Sequence, residues 1–363
     1  MTEQAHPRML TLVREAKDMT QAQLGEAAGG LSQGFISKVE SGLLPLTGDA
    51  LAQVAQKLEC PVSLLTDDTP VQGLEITCMH HRRRHSKVKV STKRRIEAIT
   101  HLTRMSVEGM LTGIELIPET RLHRLDIEQY GDPAEVARAL RVAWRVSSGP
   151  IPNVLTLLES VGVVVVTRSL FTSDQDAVST WPNDPGRPPI MVVNAGLAPD
   201  RQRFTTCHEL GHLVMHALPD DDQEHQADAF AAEFLAPAEE IRPQLAGLTT
   251  RDFPRLAQLK AQWGISIAAL IRRAKDLELI TDRQYRQFQI RLGQLGWRTL
   301  EPGTLRLEQP STLQRVMQVH LEEHGYSDEE LAAVAKMLPA HFRHLYRPPT
   351  PPARATPLRL VRP

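Results

Sequence analysis

The sequence predicts an α+β protein that is mostly helical, with one small β-sheet. Three observations carry this expectation. Helix-start signals followed by helical spacing recur from the first ten residues to about residue 338. Two segments, 161–166 and 189–194, have the β-branched or apolar density of buried strands. The balance of 41% hydrophobic and 23% charged residues is that of an ordinary globular chain. At 363 residues the chain has room for two to three domains.

Residues 8–66 read as five short helices. Arg8 to Lys17 is the first. Thr20 caps Gln21 to Ala28, and Gly29-Gly30 makes the turn. Ser32 caps Gln33 to Ser41, and Gly42 ends it. Thr47 caps Asp49 to Leu58, and Pro61 opens a last helix through Leu65. This gives an N-terminal domain over 1–68. It carries five Lys/Arg against nine Asp/Glu, whereas residues 69–100 carry eight against two. The second stretch reads as a basic connector, although helical spacing already begins at Ile96.

A central domain over 101–300 follows. Asp132-Pro133 starts a helix to about Val146, and Val161 to Val166 and Pro189 to Asn194 are the strands. Asp174 to Pro188, rich in Pro, Asp and Ser, reads as a loop. Arg201 to His216 and Asp222 to Leu235 are helices, and Pro254 to Leu279 forms two more joined at Trp263-Gly264. A helical unit spans Leu313 to Leu338 within a C-terminal helical region, 301–346. The tail, 347–363, has prolines at 348, 349, 351 and 352 and is expected to be disordered.

The N-terminus carries an early acid and no apolar core, and the longest strongly apolar run is far too short to span a bilayer. A cytoplasmic protein without membrane contact is expected. Cys60, Cys78 and Cys207 lie far apart with no CxxC pair, which excludes a disulfide framework and a cysteine-rich zinc finger. Cys78, His80, His81 and His85 lack a defined ligand spacing, so a second metal site is not expected there.

The segment His208-Glu209-Leu210-Gly211-His212 carries the chemistry. Histidines four apart on a helix share a face, so two imidazoles can converge on one ion. Such zinc sites use three protein ligands and keep a fourth position for water. Glu209, at the edge of that face, is placed to act as general acid/base. His216 lies eight residues after His208, roughly 12 Å along a continuous helix, too far to share the ion. Glu224 and Glu233 are nine residues apart and face opposite sides of the next helix. Glu224 shares its face with Ala227, Asp228, Ala231 and Leu235, a mostly apolar stripe that packs inward. Glu224 is therefore chosen as third ligand, with Asp228 accepting a hydrogen bond from a ligand histidine. Arg203 either anchors substrate or an inner carboxylate, or forms a fold-stabilising salt bridge. No oxyanion stabiliser can be assigned: the four tyrosines lie far in sequence from the motif, and His216 is left as the one open alternative.

In the first domain, Ser32 to Gly42 is the candidate recognition helix. Ile36 and Val39 face inward with Leu24 and Ala27. Gln33, Phe35, Ser37 and Lys38 would face a DNA major groove, with Gln21 and Ser32 beside them. The alternative is a five-helix protein-interaction module. Arg82 to Lys89 and Lys93-Arg94-Arg95 either track a phosphate backbone or form a solvated or salt-bridged linker.

Two resemblances follow from these motifs. Arg201 through His216, followed by Glu224 through Pro237, resembles the ImmA/IrrE family of metallopeptidases, with Trp263-Gly-Ile-Ser and Gly296-Trp-Arg extending the match over about 130–300. Residues 8–66 resemble an XRE-type helix-turn-helix. The first resemblance implies a gluzincin-like fold, one zinc ion held by His208, His212 and Glu224, and cleavage of a specific repressor or regulator, as in stress, DNA-damage or mobile-element responses. Cys207 departs from the small residue expected before the first histidine; it reads as a buried core thiol. DNA and a protein substrate are the expected partners, with a homodimer as one expected assembly. Two other functions stay open: a regulator whose peptidase-like domain senses a ligand or partner, and the antitoxin half of a two-gene toxin system.

Overall fold

A computed structural model describes residues 3–68, 75–76, 89–182, 186–216 and 221–347, with side chains described except at 75–76. The basic run up to residue 88, the cluster of Cys78 with its three histidines, and the proline-rich tail lie outside the described residues.

The first five helices are α1 (Pro7–Ala16), α2 (Gln21–Ala27), α3 (Gln33–Glu40), α4 (Gly48–Leu58) and α5 (Val62–Leu65). Thr20 and Gln23 form a reciprocal capping box, and Ser32 Oγ accepts from Phe35 N. Thr47 stands at the cap of α4 but makes no side-chain cap bond; its backbone bridges to Gln4 instead. Met9, Leu10, Leu24, Ile36, Val54 and Leu65 fill the core. Ala28 is fully buried there, whereas Ala27 is only half-buried.

The two-residue strand β1 (Glu75–Ile76) precedes the long helix α6 (Val90–Met110). This helix begins six residues before Ile96. Its apolar spacing is diluted because it serves two cores: Ala98 packs into the N-terminal domain, while Ile96, Val107 and Met110 pack into a second cluster. Short helices α7 (Ile127–Tyr130), α8 (Pro133–Ala143) and α9 (Val154–Ser160) lead to β2 (Val164–Arg168), β3 (Ala177–Trp181) and β4 (Ile190–Asn194). Asp132 caps α8 by accepting from Glu135 N.

The segment expected to be a loop thus contains β3. The sheet order is β1-β3-β4-β2, with β3 antiparallel to β1 and β4, and β2 parallel to β4. Val161-Gly162 is a turn leading into β2 rather than part of it, and Gly162 holds φ at +89°.

Alternate side chains of the sheet enter different cores. Val165, Ala177, Met191 and Val193 join the cluster built on α10 (Pro199–Met215) and α11 (Gln223–Leu235). Val164, Val166, Val178, Ile190 and Val192 join α6 and the C-terminal helices. Burial on both faces explains the unbroken apolar run at 163–166.

Helices α12 (Ala238–Leu245), α13 (Phe253–Trp263), α14 (Ile267–Asp276) and α15 (Asp282–Gln294) extend the first layer. Gly264, in the left-handed region, ends α13 at the predicted joint. The expected unit at 313–338 is two helices, α16 (Thr312–Glu322) and α17 (Asp328–Val334), and α18 (Pro339–Tyr346) follows. Gly325, with φ +69°, and the capping box of Ser327 with Glu330 make the break. At Gly109 of α6 a Cβ would stand 2.0 Å from the carbonyl oxygen of Val334, so the C-terminal helices approach α6 at backbone distance. No helix among the described residues is long and apolar enough to cross a membrane.

Candidate metal centre and nucleic-acid interface

The centre is built where α10 crosses α11. Pro199 opens α10 and Asp200 lies in its first turn, favourable at a helix N-terminus. Gly211 lets the two helices meet: a Cβ there would stand 3.1 Å from the Phe230 ring and 3.3 Å from the Ala227 Cα. His208 and His212, one turn apart, turn their Nε2 atoms toward each other at 3.0 Å. From α11, Glu224 brings Oε2 to 3.7 Å from His208 Nε2 and Oε1 to 3.5 Å from His212 Nε2. One donor atom from each residue lies within 4.8 Å of the others, the one such group that could hold a metal ion among the described residues.

Hydrogen bonding suits this donor set to a cation. Asp228 Oδ1 lies 2.8 Å from His208 Nδ1. A carboxylate there accepts the Nδ1 proton and leaves the Nε2 lone pair facing the centre. Burial opposes the charged form of His208. The Asp228 hydrogen bond and the negative Glu209, Asp228 and Glu224 nevertheless raise its pKa above the ordinary histidine value. Protons therefore compete with a metal at this ring on the acidic side.

Glu209 is buried beside the histidines. Ser179 Oγ donates to Glu209 Oε2 at 2.7 Å. Ser179 was not anticipated, because its segment reads as a loop. The β-branched Val178 and Thr180 flanking it, followed by Trp181, are the signal that marks the strand. Trp181 Nε1 donates to the Leu213 carbonyl at 2.7 Å and fixes β3 against α10. The outer edge of β3 is paired at Thr180 and Trp181 with β1.

The remaining expected residues divide plainly. Glu233 faces away from the centre. It is fully buried between Arg138, at 2.8 Å, and Arg273, and accepts from Ala238 N. Arg203 holds an inner carboxylate, Glu308, and donates to the Ile151 carbonyl at 2.7 Å. Glu308 also accepts from the backbone of Val154 and Leu155, which clamps the 301–311 segment onto the central domain. Cys207 is a core thiol whose pKa burial drives far upward. Tyr326 and Tyr346 pack behind the sheet. His216 ends α10 and lies on the far side of His212, with the two Nδ1 atoms 2.9 Å apart.

Asp228, but none of His208, Glu209, His212 and Glu224, also lines an open cleft of about 1210 Å³. Phe171, Phe204, Ala232, Trp297 and Leu300 supply apolar walls. The lip residue Phe171 lies under the Arg95 guanidinium, 3.9 Å from ring centre to cation. Arg95 in turn bonds the Ala16 carbonyl and Asp18 of the first domain. The N-terminal domain is thus tied through α6 to the rim of the cleft.

In that domain a buried-to-exposed relay leads to the surface. Arg14 holds Glu40 at 2.6 and 3.0 Å, Glu40 accepts from Gln21 at 2.8 Å, and Gln21 accepts from Gln33 at 2.8 Å. Ser32, Gln33 and Lys38 are exposed and Ser37 is half-buried. Phe35, expected to point outward, packs partly against the core. An aromatic ring at that position gains more from apolar burial than from solvent.

Two families match. Residues 158–275 match the IrrE N-terminal-like domain, a peptidase family, and residues 10–65 match the helix-turn-helix family. No curated protein matches the chain.

Proposed function

We propose that this chain, a helix-turn-helix domain joined to a peptidase-family domain, is a DNA-binding transcriptional regulator fused to a zinc-dependent endopeptidase. Its substrate is one specific regulator or repressor protein. The carrying observation is the convergence of His208 Nε2, His212 Nε2 and the Glu224 carboxylate beside a buried Glu209. Two imidazoles and one carboxylate are the donor set of catalytic zinc sites, which keep a fourth position for water. When bound there, zinc lowers the pKa of water and polarises a peptide carbonyl.

The chain's own residues do the rest. Glu209 Oε2, held by Ser179, accepts a proton from the attacking water and delivers it to the leaving amine. Asp228 holds His208 in the tautomer that leaves Nε2 unprotonated. The cleft beside Asp228 offers apolar walls for substrate side chains. Gln33 and Lys38 meet DNA, Gln33 at base edges or phosphates and Lys38 at phosphates. The shared helix α6 supports a reading in which DNA occupancy and cleavage are coupled.

The test is incubation of the purified chain with the products of adjacent genes, with and without added zinc. One discrete, zinc-dependent cut supports the proposal. Target binding with no cleavage under any metal would favour a sensing domain instead.

A further inference from the structure

Three histidines, His208, His212 and His216, recur every four residues along α10, yet only two face the centre. His216 lies just past the last helical residue, with φ −107° and ψ 90°. Its ring is buried, and its Nδ1 stands 2.9 Å from His212 Nδ1. Its Nε2 stands 2.8 Å from Gln226 Oε1, on α11 two residues after Glu224.

The polarity of this row follows from donor chemistry. If His212 presents a lone pair at Nε2, its proton is on Nδ1. The facing His216 Nδ1 must then accept, so the His216 proton is on Nε2. Gln226 Oε1, an acceptor, is what meets it. Every link has the correct sense in this direction. In the reverse direction His212 would carry its proton on Nε2, aimed at His208 Nε2 only 3.0 Å away. Such a proton would occupy the place of the ion.

We propose that His216 is a positioning residue for the metal centre: with Gln226 it holds His212 in the Nδ1-protonated tautomer and cross-links the two helices that supply the ligands. This deepens the proposed function and rests on its metal-site reading. Where Asp228 serves His208 Nδ1, the His216 imidazole faces His212 Nδ1 and carries the hydrogen bond on to the Gln226 amide. A relay that starts on α10 and ends beside Glu224 also fixes the spacing of the donor set.

The experiment uses the full-length chain loaded with zinc alone. Zinc affinity is measured by competition with a chromophoric chelator for wild type, His216→Leu, His216→Asn and Gln226→Leu. Imidazole ¹⁵N NMR reports the tautomers of His212 and His216. His216→Leu is expected to weaken zinc binding about 10- to 100-fold, and Gln226→Leu by a smaller factor. His216→Asn, whose Oδ1 can accept from His212 Nδ1, is expected to stay within about threefold of wild type. His216 is expected as the Nε2-protonated tautomer. Equal affinities for wild type and His216→Leu would overturn the inference. So would an Asn variant as weak as the Leu variant, or a His216 protonated at Nδ1. Wild type that retains no zinc would instead sink the metal-site reading itself, and this inference with it.

Discussion

Ser179 Oγ donates to Glu209 Oε2 across 2.7 Å, from the middle of β3 into the first turn of the HExxH segment on α10. The contact explains why a short strand lies against that helix. It orients the carboxylate that meets water in the proposed mechanism, and it does so from a strand that supplies none of the three converging side chains. Ser179→Ala is expected to slow cleavage about tenfold, the worth of one hydrogen bond to a charged group, with zinc content unchanged. Turnover and metal content measured on the same preparation check this. Full activity in the alanine variant would remove Ser179 from the mechanism.

Glu224 and Glu233 share α11 but meet different neighbours: Glu224 the two histidines, Glu233 two arginines. Glu224→Ala should lose most zinc affinity while the fold stays intact. Glu233→Ala should leave Arg138 and Arg273 without their shared carboxylate. Breaking a buried pair in this way costs about 3–5 kcal/mol, so the second variant should unfold at lower denaturant. Its zinc affinity, measured on the folded fraction, should match wild type. The reverse pattern would exchange the two roles.

If DNA lies on the recognition helix as proposed, the relay from Arg14 through Glu40 and Gln21 to Gln33 predicts graded losses. Gln33→Ala with Lys38→Ala should abolish sequence-specific binding in a mobility-shift assay. Gln21→Ala should weaken it less, since it leaves Gln33 and Lys38 in place and removes only the 2.8 Å hydrogen bonds that link Gln33 to Gln21 and Gln21 to Glu40. Affinity unchanged at low salt in the double variant would argue for a protein-interaction module.

His101 links stability to pH. Burial, then the nearby Arg8 and Arg104 cations, push its pKa down to about 4. The unfolded ring takes its proton near pH 6.5, the folded one only near 4. Between these values the unfolded state binds more protons, so stability is full above about pH 6.5 and falls as pH drops toward 4. The full difference is worth about 3 kcal/mol, and partial exposure of the ring brings the expected loss to about 2 kcal/mol. Denaturation of wild type and His101→Gln at pH 7 and pH 4.5 measures it. The variant should lose less stability on acidification; equal losses would dismiss His101 as the source.

Much of this architecture was legible from residue spacing. The i, i+4 histidines and the half-turn between Glu224 and Glu233 follow from helical geometry alone, and the folded chain brings His208, His212 and Glu224 to one point. Three features were not legible. Strand β3 is five residues long and lies between proline-, aspartate- and serine-rich stretches, so local composition outvotes the alternation of Val178 and Thr180. Helix α6 starts early because two separate cores share its faces, which blurs a single apolar stripe. The partnership of His216 with Gln226 depends on the path of the chain after Met215, which no periodicity encodes.

The proposed function rests on proton transfer by Glu209 at a metal-dependent peptidase centre. Wild type and Glu209→Gln, each loaded with one equivalent of zinc, should be incubated with the candidate substrate and followed by intact-mass spectrometry. Wild type should make one discrete cleavage and Glu209→Gln none, with equal zinc content in both. Cleavage at undiminished rate by Glu209→Gln would contradict the proposed function.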